Sequence, residues 1–196
     1  IDYTIESDWS AAATIMVAAA IAGEITLHNI STLSSQADTA ICRALERCGA
    51  SLIIEDNSIT VAHRALEAFE FDATNCPDLF PALVALAAAA NGVSRIHGIK
   101  RLRGKESDRG EALCEEYAKL GIEIELNYEE DVMSIVGGEP KPHDVESHDG
   151  HRIAMSLAIT ALRMNEPIEI KNCECVAKSY PSFFEDIESL KEHNGE

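Results

Sequence analysis

Residues 78–97 read DLFPALVALAAAANGVSRIH, and the construction of this stretch decides the fold. Asp78 opens it, Pro81 falls in the expected first helical turn, and residues 79–90 are apolar without a break. An aspartate at a helix start accepts from orphan backbone N–H groups and complements the dipole, which predicts Asp78 as an N-cap. Proline in the first turn costs little, because its missing N–H has no intrahelical partner there. Asn91-Gly92 ends the run, and Val93–His97 then reads as a short strand. A helix that is apolar on nearly every face is predicted to lie at the centre of the molecule.

The same construction occurs twice more, at a spacing of about 70 residues. Asp8-Trp-Ser-Ala-Ala-Ala opens one copy and Asp149-Gly-His-Arg-Ile-Ala-Met the other. The three helices end near Gly23, Gly92 and Asn165, residues suited to a left-handed C-cap, and strands follow at Glu24–Leu27, Val93–His97 and Pro167–Ile170. A second, amphipathic helix comes next, near Gln36–Cys48, Ser107–Leu120 and Ser182–Glu192, and the first two end before Gly49 and Gly121. Hairpins are predicted at Ser51–Ile54 with Ser58–Ala62 and at Ile122–Leu126 with Val132–Val136, turning at Asp56-Asn57 and Glu130-Asp131. A short strand (Tyr3–Ile5, Ala68–Phe71) precedes the first helix of these units.

The expected architecture is therefore α/β (α+β): an inside-out α/β barrel of three βαβαββ-type repeats, with helices inside and sheets outside. The repeats run approximately 1–64, 65–138 and 139–196, within one domain covering 1–196. The third repeat stops after its second helix, as half of a larger protein would. A start at Ile1, without initiator methionine or charged leader, points the same way. The plainer alternative is an ordinary α+β domain with alanine-rich core helices.

Composition narrows the function. A net charge of −18 argues against general nucleic-acid binding, which needs a positive face. No apolar run approaches the roughly 18 residues of a membrane span, since Ala11–Ala22 is broken by Gly23-Glu24. Six cysteines without a C-x-x-C pair read as free thiols of a reducing, cytoplasmic compartment.

In so acidic a chain, the basic residues mark candidate sites. Lys100, Arg101, Arg103, Lys105 and Arg109 crowd into ten positions, either as a site for a small polyanion or as a solvated turn paired with Glu106, Asp108 and Glu111. Arg109 and Arg152 fall at predicted helix starts, where unpaired N–H groups favour anions; if the pseudo-threefold brings these starts together, Arg109, Arg152 and Lys105 converge on one ligand, joined by Lys178 just before the last helix. Asp78 is a cap, a general base in a cationic pocket, or both. His143, His148 and His151 are spaced as a loop running into a helix, which favours His151 as a polar residue at a pocket edge over a metal cluster.

Three segments carry a family resemblance. Lys105-Glu106-Ser107-Asp108-Arg109 resembles the Lys-Glu-[Ser/Thr]-Asp-Arg signature of EPSP synthases. His148-Asp149-Gly150-His151-Arg152-Ile-Ala-Met resembles their Asp-His-Arg-[Met/Ile]-Ala-Met segment, and Ala177-Lys178-Ser179-Tyr180-Pro181-Ser182-Phe183-Phe184 their segment near the C-terminus. Cys76-Pro77-Asp78 matches the Pro-Asp of the catalytic aspartate, and Ser7–Ala13 more loosely matches Gly-Asp-x-Ser-Ser-Ala. The resemblance implies a two-domain enzyme that binds its substrates in the cleft between domains, acts as a monomer when whole, and uses no metal or organic cofactor. By this match Arg109, Arg152 and Lys178 would bind phosphoenolpyruvate, while Lys105 and Asp78 would contact shikimate 3-phosphate. Asp78 would take the proton from the attacking hydroxyl, and Glu106 would assist proton transfer at the enolpyruvyl methylene, so Asp78, Glu106 and Lys105 form the catalytic set.

Two positions depart from the pattern. Gly150 stands where an acidic residue often precedes His-Arg, and Arg101 stands where some members place an asparagine against the shikimate substrate. The family's N-terminal Lys-Ser and Arg motifs and its Ser-Ser-Gln loop are absent from these 196 residues, so the isolated chain is expected to be inactive without the missing N-terminal half. A UDP-N-acetylglucosamine enolpyruvyltransferase and a non-catalytic acidic scaffold are the competing readings.

Overall fold

A computed structural model describes residues 5–104 and 108–193. The first repeat comprises α1 (Trp9–Ala22), β1 (Glu24–His28), a 3-10 turn at Ala37–Ala40 running into α2 (Ile41–Arg47), and the hairpin β2 (Ser51–Glu55) with β3 (Ser58–Ala62). The second comprises β4 (Glu70–Asp72), a 3-10 turn at Pro77–Leu79, α3 (Phe80–Ala89), β5 (Val93–His97), a 3-10 turn at Ile99–Leu102, α4 (Arg109–Lys119), and the hairpin β6 (Ile124–Asn127) with β7 (Val132–Val136). The third comprises β8 (Val145–Glu146), α5 (His151–Ala161), β9 (Ile170–Lys171), a 3-10 turn at Cys173–Lys178 and α6 (Phe183–His193).

Three separate sheets result, one per repeat: β1-β3-β2, β4-β5-β7-β6 and β8-β9. Hairpin strands run antiparallel to the strand after the central helix, with Leu27 opposite Ile59 and Ile96 opposite Met133. The strand before the central helix pairs parallel with the strand after it, as β4 with β5 and β8 with β9. Each of these parallel pairs is a βαβ unit whose crossover is a core helix.

The predicted inward placement of the first helices is observed: α1, α3 and α5 pack on one another in all three pairings. Phe80 through Ala88 is buried without interruption, and α1 is buried from Ala13 to Ile21. Alanine is what makes this possible, because small side chains let three helices approach closely while Met16, Leu83, Leu86 and Leu157 fill the gaps. No helix among the described residues is long and apolar enough to cross a membrane.

Several expected details differ. Asp8 caps α1 as predicted, accepting from Ser10 N at 2.8 Å and Ala11 N at 3.2 Å. Asp78, however, lies inside the 3-10 turn ahead of α3, and the residue before α5 is Gly150 rather than Asp149. Asp149 cannot cap because it sits with His148 in the left-handed region, at φ 57° and 50°, one step too early. Gly23 is extended (φ −177°), α5 ends at Ala161 before Asn165, and of the three expected C-cap positions only Gly92 (φ 102°) is left-handed.

The strong left-handed caps instead follow the second helices, at Gly49 and Gly121. Each closes the same pair of bonds: Gly49 N to Glu46 O with Ala50 N to Leu45 O, and Gly121 N to Ala118 O with Ile122 N to Tyr117 O. The second helices must reverse sharply into a hairpin, whereas α1 runs almost directly into β1. In the third repeat the expected strand Pro167–Ile170 shrinks to Ile170–Lys171, and among the described residues no hairpin follows α6. The first expected strand, Tyr3–Ile5, lies largely outside the described residues.

Candidate active site

Asp78 is the meeting point of the second and third repeats. The first turn of α4 places Arg109 against it, with Nη1 donating to Oδ1 at 2.8 Å and to the Pro77 carbonyl at 3.4 Å. The first turn of α5 places Arg152 on the other carboxylate oxygen, Nη2 to Oδ2 at 3.5 Å. Arg109 is almost fully buried, its side chain 6% exposed, while Asp78 retains 37% and faces solvent. One carboxylate thus holds two guanidiniums from different repeats, and all three groups sit at helix starts, where the backbone also favours anions.

The first repeat contributes a second acid. Asp38, in the 3-10 turn before α2, is buried and accepts a short hydrogen bond from Ser10 Oγ in the first turn of α1. Burial pushes its carboxyl above the usual range; the Ser10 bond and the Arg152 charge oppose this, and the charge of Asp78 adds to it. Asp38 therefore lies within electrostatic reach of both Arg152 and Asp78. The sequence did hold a signal for it. Asp38 continues the stripe Ile41, Leu45, Cys48 at helical spacing, so a charge there had to be buried.

The remaining basic residues divide. Lys100 is fixed through its backbone N–H on Asp131, and the Arg103 guanidinium lies 4.0 Å over the Tyr128 ring. Arg101 is exposed on the turn Ile99–Leu102, which packs against the turn bearing Asp78. Lys105 and Glu106 lie outside the described residues. Lys178 is exposed at the end of its 3-10 turn and forms no ion pair among the described residues. That turn packs on α5 and is tied to the segment before it by the Cys175 thiol on Ser147 Oγ (3.6 Å).

The histidines do not converge. His143 Nδ1 pairs with the Asp144 carbonyl, His151 opens α5, and His148 Nε2 turns to Glu116 at 2.7 Å. Glu115, Glu116 and His148 do bring ligand atoms within 4.8 Å of one another, but Lys119 Nζ already bonds both Glu116 oxygens at 2.7 and 2.9 Å. The Lys119 ammonium thus already neutralises the carboxylate at the centre of this group. The six cysteines are free thiols, and burial pushes Cys42, Cys76 and Cys114 up to about 11, well away from a reactive thiolate.

A groove of about 310 Å³ opens at the opposite ends of α1 and α5, lined by Ala18, Ala22, Leu162, Met164 and Ile187. Among the described residues it is lined mostly by apolar groups, with Glu24 as the charged one and no cationic group of the kind small anions require. The helix-start cluster is the better candidate for chemistry.

Comparison with known proteins shows the family. The family model described as EPSP synthase (3-phosphoshikimate 1-carboxyvinyltransferase) matches residues 1–187. A protein of that name from Clostridium perfringens (strain ATCC 13124) is 41% identical over 96% of this chain and 45% of its own length. One from Brachyspira hyodysenteriae is 40% identical over 97% of this chain and 46% of its own. The chain thus spans about half the length of the curated relatives it matches. Among solved structures, EPSP synthase from Acinetobacter baumannii superposes with a TM-score of 0.82 at 31% identity, over 92% of this chain and 45% of that one. The enolpyruvyl transferase NikO from Streptomyces tendae, at 21% identity over 97% of this chain and 44% of that one, shares the fold with a TM-score of 0.72.

Proposed function

Because the chain belongs to the EPSP synthase family, we propose that it forms one wall of a cleft in which an enolpyruvyl group passes from phosphoenolpyruvate to the 5-hydroxyl of shikimate 3-phosphate. Phosphate is released, and the step lies on the route to chorismate and aromatic amino acids. The observation that carries the reading is the Asp78 carboxylate shared between Arg109 and Arg152.

Both substrates are multiply charged anions, and bringing them together is opposed by their mutual repulsion. Arg109 and Arg152 offset that repulsion with rigid forks suited to phosphate and carboxylate, and Lys178 adds a flexible point charge. In the free protein Asp78 takes the guanidiniums that the anionic substrate would claim. Once phosphoenolpyruvate holds them, the carboxylate is left to accept the proton of the attacking hydroxyl. The resulting alkoxide attacks C2 of the enolpyruvyl group, while a carboxylic acid, Glu106 by its place in the Lys-Glu-Ser-Asp-Arg segment, protonates the methylene. Loss of phosphate and of that proton from the tetrahedral intermediate regenerates the double bond on the new ether. Lys105 and Arg101 complete the shikimate side in this reading.

The opposite wall comes from the other half of a two-domain, cytoplasmic, monomeric enzyme. The chain alone is accordingly inactive and gains activity when that half is supplied. Phosphate release from phosphoenolpyruvate in the presence of shikimate 3-phosphate tests this. Asp78→Asn is expected to lower kcat by roughly 10² or more with the KM for phosphoenolpyruvate little changed. Turnover near wild type in that variant, or robust turnover by the chain alone, would remove the proposal.

A further inference from the structure

α4 and α5, which deliver Arg109 and Arg152, are joined at a buried carboxylate outside the site. Glu116 on α4 is fully buried, and besides the Lys119 ammonium it accepts from His148 Nε2 at 2.7 Å and from the Glu146 backbone N–H at 2.8 Å. The last two donors belong to the segment that leads from β8 into α5.

That segment is unusual. His148 and Asp149 are consecutive non-glycine residues in the left-handed region, a conformation that L-residues keep only when surrounding contacts hold it. Gly150 and then α5 follow, so Arg152 emerges three residues after the corner ends at Asp149. The other side of the corner is also fastened, since Ser147 Oγ donates to the Asn172 carbonyl at 2.9 Å and receives the Cys175 thiol. The body of α5 is held separately, through the Tyr117 hydroxyl on Thr160 Oγ1 at 2.9 Å and on the Ser156 carbonyl at 3.3 Å. What Glu116 adds is therefore local to the first turn of α5. Lys119, by contrast, bonds Glu116 from within the same helix and says nothing to the corner.

We infer that Glu116, acting through His148, is a positioning residue for Arg152: it holds the left-handed corner from which α5 departs and so fixes where the guanidinium meets Asp78. The consequence for phosphoenolpyruvate rests on the function proposed above; the placement of Arg152 does not.

The test uses the 196-residue chain with its arginine Nε–H signals followed by NMR. In the ligand-free protein, His148→Leu is expected to shift the Arg152 signal, His148→Gln to restore part of the shift, and Lys119→Gln to leave it near its wild-type position. Calorimetric titration should then show phosphoenolpyruvate affinity reduced on the order of tenfold in His148→Leu and close to wild type in Lys119→Gln. If His148→Leu does not fold, the isosteric Glu116→Gln supplies the same comparison. An unmoved Arg152 signal in the folded variant, or an equal movement in Lys119→Gln, overturns the inference. Failure of the wild-type chain to bind phosphoenolpyruvate would count against the proposed function, while the ligand-free signal still decides the positioning role.

Discussion

Arg109 combines near-complete burial with a charge, and Asp78 is what makes that tolerable. A single nitrogen, Nη1, serves the Asp78 carboxylate and the Pro77 carbonyl together, at a reach that the shorter lysine stem does not match. Arg109→Lys is therefore expected to cost about 1–3 kcal/mol of stability by urea unfolding, through the bonds left unmade. The two fully engaged acids, Glu116 and Asp38, respond oppositely to pH. Burial pushes the Glu116 carboxyl up, but the bonds from Lys119, His148 and the Glu146 N–H outweigh it and hold the group below its ordinary 4.5. Its contribution is present above pH 4.5 and is lost as pH falls below that value. Asp38 is raised above its ordinary 3.8, chiefly by burial, so its ionisation costs stability as pH rises beyond 3.8. Urea unfolding across ~pH 3 to 7 should show Glu116→Gln less stable than wild type near neutrality with the gap closing in acid, and Asp38→Asn more stable near neutrality. At this scale the sequence disclosed Asp78, Arg109 and Arg152, because helix starts in an acidic chain single them out. It did not disclose the pairing of Glu116 with His148, a tertiary contact between residues 32 apart.

Helices and hairpins were legible because their signals are local. The unbroken apolar run of α3 announced burial, and alternation around Asp56-Asn57 fixed the register of β2 against β3. The caps were less legible, since they depend on where the chain goes next. Asp78 left its expected cap to meet two arginines, and the Pro77–Leu79 and Ile99–Leu102 turns exist because they pack on each other. Gly49 and Gly121 are the exception: the same left-handed closure follows the second helix in both repeats. Gly49→Ala and Gly121→Ala are each expected to cost about 1–2 kcal/mol in urea unfolding, and the double variant to show the sum. Leu83→Ala, at the fully buried centre of α3, should cost more, about 2–5 kcal/mol.

Across the whole molecule, a chain with a net charge of −18 gathers guanidiniums from two repeats at one end of a bundle of three helices. The repeat itself creates this arrangement, because every central helix begins on the same side and each start can present one polar group. Ser10 in α1, Asp78 in the turn ahead of α3 and Arg152 in α5 are the polar groups at these three starts. Period and order were readable from sequence, and from them the meeting of Arg109 and Arg152 was expected; that Asp78 would bridge the two was not, because it needs the three helices to pack with their starts together. Calorimetric titration of phosphoenolpyruvate into wild type, Arg109→Gln and Arg152→Gln measures that convergence directly. The expected result is one anion per chain, with each substitution weakening binding roughly tenfold or more; wild-type affinity in either variant would contradict a shared site.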